Sequence, residues 1–259
     1  MANVENIVKI MNFHSLVRIE KSKEEAEKHF AVEQQLTNMI AQILYNKNLN
    51  IDKKIIRENQ KGMILNIYIG NDLGFCGNFN SVINAELKKD LEAKKIIIGK
   101  KINNEDPNVI LNITKEDFYK EFKNVEEIIY EYIKNKKIKE LNVIYNRYYN
   151  VNDIRFEKKR IFPIDINETD INIEVDYTIE TDIANVLNSM ISLYLTYEIK
   201  ILEINSWASE NVMRERVTRE SIKKIEEFSE EKAKSERKQK KLESFRKQLN
   251  NYRVGEESI

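Results

Sequence analysis

Residues 71–81 read Asn-Asp-Leu-Gly-Phe-Cys-Gly-Asn-Phe-Asn-Ser and hold two of the six glycines and the only cysteine of a 259-residue chain. Three kinds of chemistry use such residues at such spacing. The backbone around Gly74 and Gly77 could cradle an anion at the start of the following helix. Cys76 could act as a nucleophile if a base stood beside it. Alternatively, the two glycines form a structural turn that residues with a β-carbon resist, with Asn80 or Ser81 capping the helix. The G-x-G-x-x-G pattern and the lysine of a P-loop are both missing, which counts against nucleotide binding. The two histidines, His14 and His29, both lie in the N-terminal helical segment, and a lone cysteine usually packs as a small hydrophobe. Phosphate binding and thiol catalysis stay open, and the structural turn demands the fewest additional residues.

Composition narrows the class of function. Lys+Arg and Asp+Glu number 43 each, so no global field draws the chain to nucleic acid or to an anionic membrane. One cysteine excludes an internal disulfide framework and suits a reducing cytosol. The N-terminal stretch MANVENIVKIMNFHS lacks the basic region and apolar core of a signal peptide, and no apolar run approaches the roughly 18 residues of a membrane helix. The expectation is a soluble intracellular protein without a catalytic constellation, a cofactor or a metal site.

The elements that must position the loop follow from periodicity and from the placement of helix breakers. Neither glycine nor proline occurs before Gly62, and no glycine lies between Gly99 and Gly255. Val32, Leu36, Met39, Ile40 and Ile43 recur at helical spacing, and the clustered asparagines of NKNLN at 46–50 should end that helix. In the middle, MILNIYIG, KKIIIGK, ELNVIYNRYY and IRFEKKRIFPI read as strands. SVINAELKKDLEA reads as a helix between the first two, and residues 114–135 as a second helix with Thr114 at its N-cap. From about Asp182 to Asn251 nothing interrupts a helical reading, and roughly 70 residues at about 1.5 Å each would span about 105 Å. Ile183, Leu187, Met190, Ile191, Tyr194 and Leu195 form its stripe, with Leu242, Phe245 and Leu249 continuing the pattern, so that one face of the tail should be covered. The fold class is therefore α/β: a long antiparallel coiled coil of the N- and C-terminal helices plus a central Rossmann-like α/β domain. Residues 1–58 form the N-terminal helix and connector, 59–178 the central domain, and 179–259 the C-terminal helix.

The loop, read with three further segments, resembles the gamma subunit of F-type (F1) ATP synthases. The family signature D-R-G-L-C-G-G-[LF]-N-[ST] is similar to DLGFCGNFNS at Asp72, Gly74, Cys76, Gly77, Asn80 and Ser81, with Leu73 and Asn78 as departures. The segment IVKIMNFHSLVRIEKS shares Ile7, Lys9, Met11 and Lys21 with the family's N-terminal helix. DYTIETDIANVLNSMISLY keeps Asp176, Tyr177, Glu180, Asp182, Leu187 and Tyr194, and ASENVMR matches A-S-E-x-x-A-R at Ala208, Ser209, Glu210 and Arg214.

The resemblance implies a non-catalytic rotor shaft inside a hexameric ring of alpha- and beta-type subunits, where the beta-type partner performs catalysis. It implies a rotor–hexamer interface at Ile7, Lys9, Met11, Arg214, Arg237, Lys238, Lys240, Lys241 and Phe245, with Lys240 and Lys241 at positions that meet the ring's catch loops. Asp72, Gly74, Cys76, Gly77 and Asn80 become a structural turn. An epsilon-like subunit and a membrane rotor ring or other load are the further partners, nucleic acid is not, and the place is the cytoplasm, peripheral on the inner face of the cell membrane. Two departures mark the chain: few residues precede Ile7, and Lys232–Lys247 carries eight basic and two acidic residues where the family has an apolar tip. Such divergence points to a specialised F1-like ATPase. A coiled-coil tether whose basic tail binds nucleic acid or another protein is the alternative, and strong salt dependence would be its mark.

Overall fold

The computed structural model describes residues 2–45, 59–102, 105–120, 122–164 and 182–256. Expectations that fall on NKNLN, Asp176, Tyr177 and Glu180 lie outside the described residues. Among the described residues, ten elements follow in chain order: α1 (Ala2–Tyr45), β1 (Met63–Ile69), α2 (Ser81–Lys89), β2 (Lys94–Ile98), β3 (Val109–Ile113), α3 (Lys115–Lys120), α4 (Phe122–Lys134), β4 (Ile138–Asn150), β5 (Asp153–Phe162) and α5 (Ile183–Glu256). The chain falls into two compact units, His14–Arg214 and Met1–Phe13 with Glu215–Ile259.

Within His14–Arg214 the strands make one five-stranded sheet of order β3-β2-β1-β4-β5. The first four are parallel, and β5 turns back antiparallel to β4 across a hairpin. Ile67 lies opposite Ile96 on one side and Val143 on the other, so the centre of the sheet is a row of branched side chains. Helices cover both faces, which explains why β1 and β2 read as nearly unbroken apolar runs rather than as alternating ones. On one face Leu65, Ile67, Ile69, Val143 and Tyr145 pack with Ile40 and Leu44 of α1, Val125 and Ile129 of α4, and Leu187, Ile191 and Leu195 of α5. On the other face Tyr68, Ile97 and Ile144 pack with Ile83 and Leu87 of α2. The edge strand β3 is absent from the sequence reading, because five residues with half-buried, alternating exposure give a weak signal beside Pro107.

The helix pair repeats at a coiled-coil period. In α1, Ser15, Ile19, Ser22, Glu33, Leu36, Ile40 and Ile43 are buried, a three-four alternation that keeps one seam against a partner helix. Met39, expected on that stripe, is exposed, and Val32 is half-buried. The ring of His29 lies 5.7 Å from that of Tyr197 in α5. In the second unit, Asn12 donates to the carbonyl of Glu215 and to the hydroxyl of Thr218, each at 3.0 Å. Within His14–Arg214, His29 faces Tyr197 and Glu33 interacts with Tyr194, so numbers rise in α1 as they fall in α5 and the pair there is antiparallel.

This packing makes a direct prediction. Ile191, fully buried where α5 meets the sheet, should cost about 2–5 kcal/mol when replaced by Ala. Leu91, 75% exposed, should tolerate the same change within about 0.5 kcal/mol. Urea unfolding followed by circular dichroism checks both, and equal costs would contradict the layer assignment.

Candidate functional site

The glycine loop leaves the end of β1 and enters α2, and its shape is set by three side chains. Asp72 accepts the amide of Lys100 at 2.8 Å and that of Lys115 at 3.0 Å, tying the loop to the end of β2 and to the first turn of α3. Asn80 does not cap α2 through its side chain. It donates instead to Asn71 at 2.6 Å and to the carbonyl of Lys101 at 3.0 Å, closing the two ends of the loop on each other. Ser81 likewise turns its hydroxyl back to the carbonyl of Asn78. The left-handed backbone falls at Gly77, with φ 54°, and at Phe75, with φ 62°. Gly74 sits in open space, where an added β-carbon would meet only the end of Lys101. Of the two glycines, then, the turn requires Gly77, while an exposed phenylalanine takes the strained position.

Below the loop lies a buried ionic cluster. Arg214 donates to the carbonyl of Gly74 at 3.2 Å, to Asn211 at 2.9 Å and to the carboxylate of Glu210, which lies one turn back on α5. Its terminal nitrogen also lies 3.2 Å from the sulfur of Cys76. Glu210 receives the ammonium of Lys115 at 2.9 Å, and the carboxylate of Glu203, two turns earlier, stands 3.5 Å from the same nitrogen. Tyr119 of α3 donates to the other oxygen of Glu203. One residue before Glu210, Ser209 donates to the carbonyl of Asn146 at 2.8 Å, and Asn146 in turn holds the carbonyl of Phe79 at 2.8 Å. The small side chains Ala208 and Ser209 let α5 approach the end of β4 closely. Thr114 opens α3 as expected: its hydroxyl accepts the amide of Asp117 at 3.0 Å and donates to that residue's carboxylate.

The electrostatics follow from burial opposed by partners. Burial pushes the Glu210 carboxyl up, but Lys115 and Arg214 outweigh it and leave Glu210 below its ordinary value of 4.5. For Glu203 burial prevails over Lys115 and Tyr119, and its carboxyl is raised. Burial pulls Lys115 down, yet Glu210 and Glu203 more than restore it, so its ammonium is held charged. Burial also pushes the Cys76 thiol up, against the pull of Arg214. A thiol that is 2% exposed and disfavoured as thiolate is a packed group rather than a nucleophile.

The structure brings Asp72, Gly74, Cys76, Gly77, Asn80 and Arg214 into one place. Arg214, grouped by the resemblance with the interface residues, is buried beneath the loop. The others of that group lie in the unit of Met1–Phe13 with Glu215–Ile259. There Ile7 is 57% exposed, Lys9 pairs with Glu5 at 2.6 Å and Met11 is half-buried. Every residue from Glu226 to Gln248 is exposed, including Arg237, Lys238, Lys240, Lys241, Leu242 and Phe245. The face of the tail expected to be covered is therefore open in the isolated chain, and Leu249 falls outside the residues whose side chains are described. Sequence reasoning missed Lys115, Tyr119 and Glu203. The seven-residue spacing of Glu203 and Glu210 places both on one helix face, but nothing local marks that face as buried.

Comparison with known proteins gives the family and the fold. A profile of the ATP synthase family matches residues 1–241. The ATP synthase gamma chain of Mycoplasma mobile is 28% identical over 244 residues, covering 87% of this chain and 84% of that protein. That of Clostridium novyi is 26% identical over 225 residues, covering 82% and 78%. A chain in the central stalk and c-ring structure of the Tetrahymena thermophila mitochondrial ATP synthase shares the fold, with a TM-score of 0.56 at 17% identity, covering 83% of this chain and 99% of that one.

The cluster predicts a pH signature. Glu210 has a depressed folded-state value, so its stabilisation is present above the ordinary 4.5 and fades as pH falls through the folded value. Glu210→Gln should therefore destabilise strongly at pH 7, with a smaller difference from wild type near pH 3. Arg214→Ala, which strands a buried carboxylate, should cost about 3–5 kcal/mol at pH 7. Denaturant unfolding at both pH values checks this; a difference independent of pH would contradict it.

Proposed function

Because the chain belongs to the ATP synthase gamma family, we infer that its two long helices form the rotor shaft of an F1-type motor and its α/β domain the foot of that shaft. ATP chemistry belongs to the beta-type subunits of the surrounding ring, and the chain couples their turnover to rotation. The observation that carries this reading is the uncovered tail of α5. Asn12 lies opposite Thr218, and α1 begins ten residues before Asn12, so it runs out about ten residues beyond Thr218. From Glu226 to Gln248 the helix has no covered face, yet it carries Phe228, Leu242 and Phe245 among its lysines and arginines. A bare helix of this kind suits a sleeve formed by other subunits better than bulk water. Val4, Ile7 and Ile10, each more than half exposed, offer apolar surface from α1 to the same sleeve. The partners are the alpha- and beta-type subunits, with an epsilon-like subunit and a load at the foot. The complex acts on the cytoplasmic side, at the inner face of the cell membrane.

Two experiments test the reading. The purified chain alone should neither bind nor hydrolyse ATP, and adding it to the matching ring subunits should raise or organise their turnover. Robust hydrolysis by the chain itself would overturn the rotor reading. Lys240→Glu combined with Lys241→Glu should leave the α/β domain folded and slow steady turnover by the assembled complex. Enclosed charge pairs are screened less than exposed ones, so rising salt should slow the wild type toward the mutant. Wild-type turnover by a normally assembled double mutant at every salt concentration would reduce the basic segment to a solvated face.

A further inference from the structure

The stretch of α5 from Lys232 to Lys247 carries eight basic and two acidic side chains, and every one of them is exposed. Each residue of a helix turns by about 100°, so the direction of a cation follows from its number. Measured from Lys232, Lys240 leaves the axis at about 80°, Lys241 at about 180° and Lys238 at about 240°. With the other four cations included, no sector wider than about 80° is without one. Glu236 and Glu243 stand four residues before Lys240 and Lys247 and can answer at most those two. The rest repel one another: Arg237 alone has Lys234, Lys240 and Lys241 three or four positions away, a spacing at which like charges weaken a helix. No side chain of the stretch is buried in exchange.

A helix that lies on a flat partner gathers its contacts on one face. A membrane-surface helix needs an apolar stripe of about 100° or more, whereas Leu242 and Phe245 span about 60°. A nucleic acid running along the helix would meet the carboxylates of Glu226, Glu227, Glu230 and Glu231 just before Lys232. Cations on every side, over about 24 Å of axis, fit a partner that touches every side. Enclosing them in an uncharged bore would strand them, so the bore must supply counter-charges. We propose that Lys232–Lys247 is an electrostatic bearing surface whose sleeve, formed by neighbouring subunits, carries Asp and Glu carboxylates around its whole bore. This rests on the rotor reading and adds to it the chemistry of the partner. With cations at every azimuth, a turn of the helix exchanges one ion pair for another, so attraction centres the segment without fixing its angle.

Charge reversal on different faces provides the test. The apparent Kd of the full-length chain for its alpha- and beta-type subunits is measured at about 0.15 M and about 1 M salt. Lys232→Glu, Lys238→Glu, Lys240→Glu and Lys241→Glu, each melting like the wild type, should each weaken binding about tenfold at the lower salt and much less at the higher. The four losses should agree within about threefold, because every face meets carboxylates. Ser235 lies in the widest gap between cations, at about 300°. Ser235→Lys should bind at least as tightly as the wild type, and Ser235→Glu about tenfold more weakly. Losses confined to one face, unchanged binding by all the reversals, or tighter binding to duplex DNA than to the subunits at about 0.15 M salt would overturn the proposal. In the first two outcomes the wild type still binds its subunits and the rotor reading stands. A wild-type chain that does not bind them at all overturns both.

Discussion

Everything distinctive in the α/β unit depends on one buried interaction: the guanidinium of Arg214 and the ammonium of Lys115 sharing the carboxylate of Glu210 beneath the glycine loop. Charges taken out of water are expensive, and attraction between them compensates only when every partner is in place. The cluster is therefore less a source of stability than a fixed register. It favours one axial position of α5 against the loop, because sliding by a turn would part the buried Lys115 from Glu210 and Arg214 from the carbonyl of Gly74. Ser209 on Asn146 and Asn146 on Phe79 repeat the same constraint through uncharged bonds, at the neighbouring strand end.

This register matters because α5 is one uninterrupted helix from Ile183 to Glu256. The residues that seat it on the sheet and those that form its bare basic segment belong to the same helix. A helix can transmit a twist only if its root does not slip, and apolar packing alone, being non-directional, resists sliding poorly. Ionic and hydrogen-bonded contacts with defined geometry resist it well. The glycine loop, which at first reading could have been a phosphate cradle or a nucleophile's setting, is the socket for that root. Cys76 fills the socket beside Arg214, and Asp72 holds its rim to the adjoining strand and helix.

Much of this was legible in the sequence, for identifiable reasons. Ile-rich runs in β1 and β2 are what a sheet covered on both faces requires, and the absence of helix breakers at either end marks α1 and α5. The two segments that carried the resemblance, around Cys76 and around Glu210, prove to touch, which explains why they occur together. What escaped were features decided by distant contacts. Lys115 and Tyr119 belong to a stretch rich in Lys, Glu and Asp that reads as a solvated helix start, and only tertiary packing buries Lys115 and brings the Tyr119 hydroxyl to Glu203. Asn80 looks like a helix cap locally, yet its side chain is drawn to Asn71 and Lys101 across the loop. Phe75 rather than Gly74 takes the left-handed backbone, a choice that local preference would have reversed.

The central claim is that this chain turns. Its only cysteine is buried beside Arg214, so a cysteine introduced at the exposed Leu91 can be labelled selectively. A bead attached there, on a complex whose ring is fixed to a surface, should rotate in one direction in discrete steps when ATP is supplied and stop when it is removed. A complex that hydrolyses ATP at full rate while the bead stays still would contradict the account.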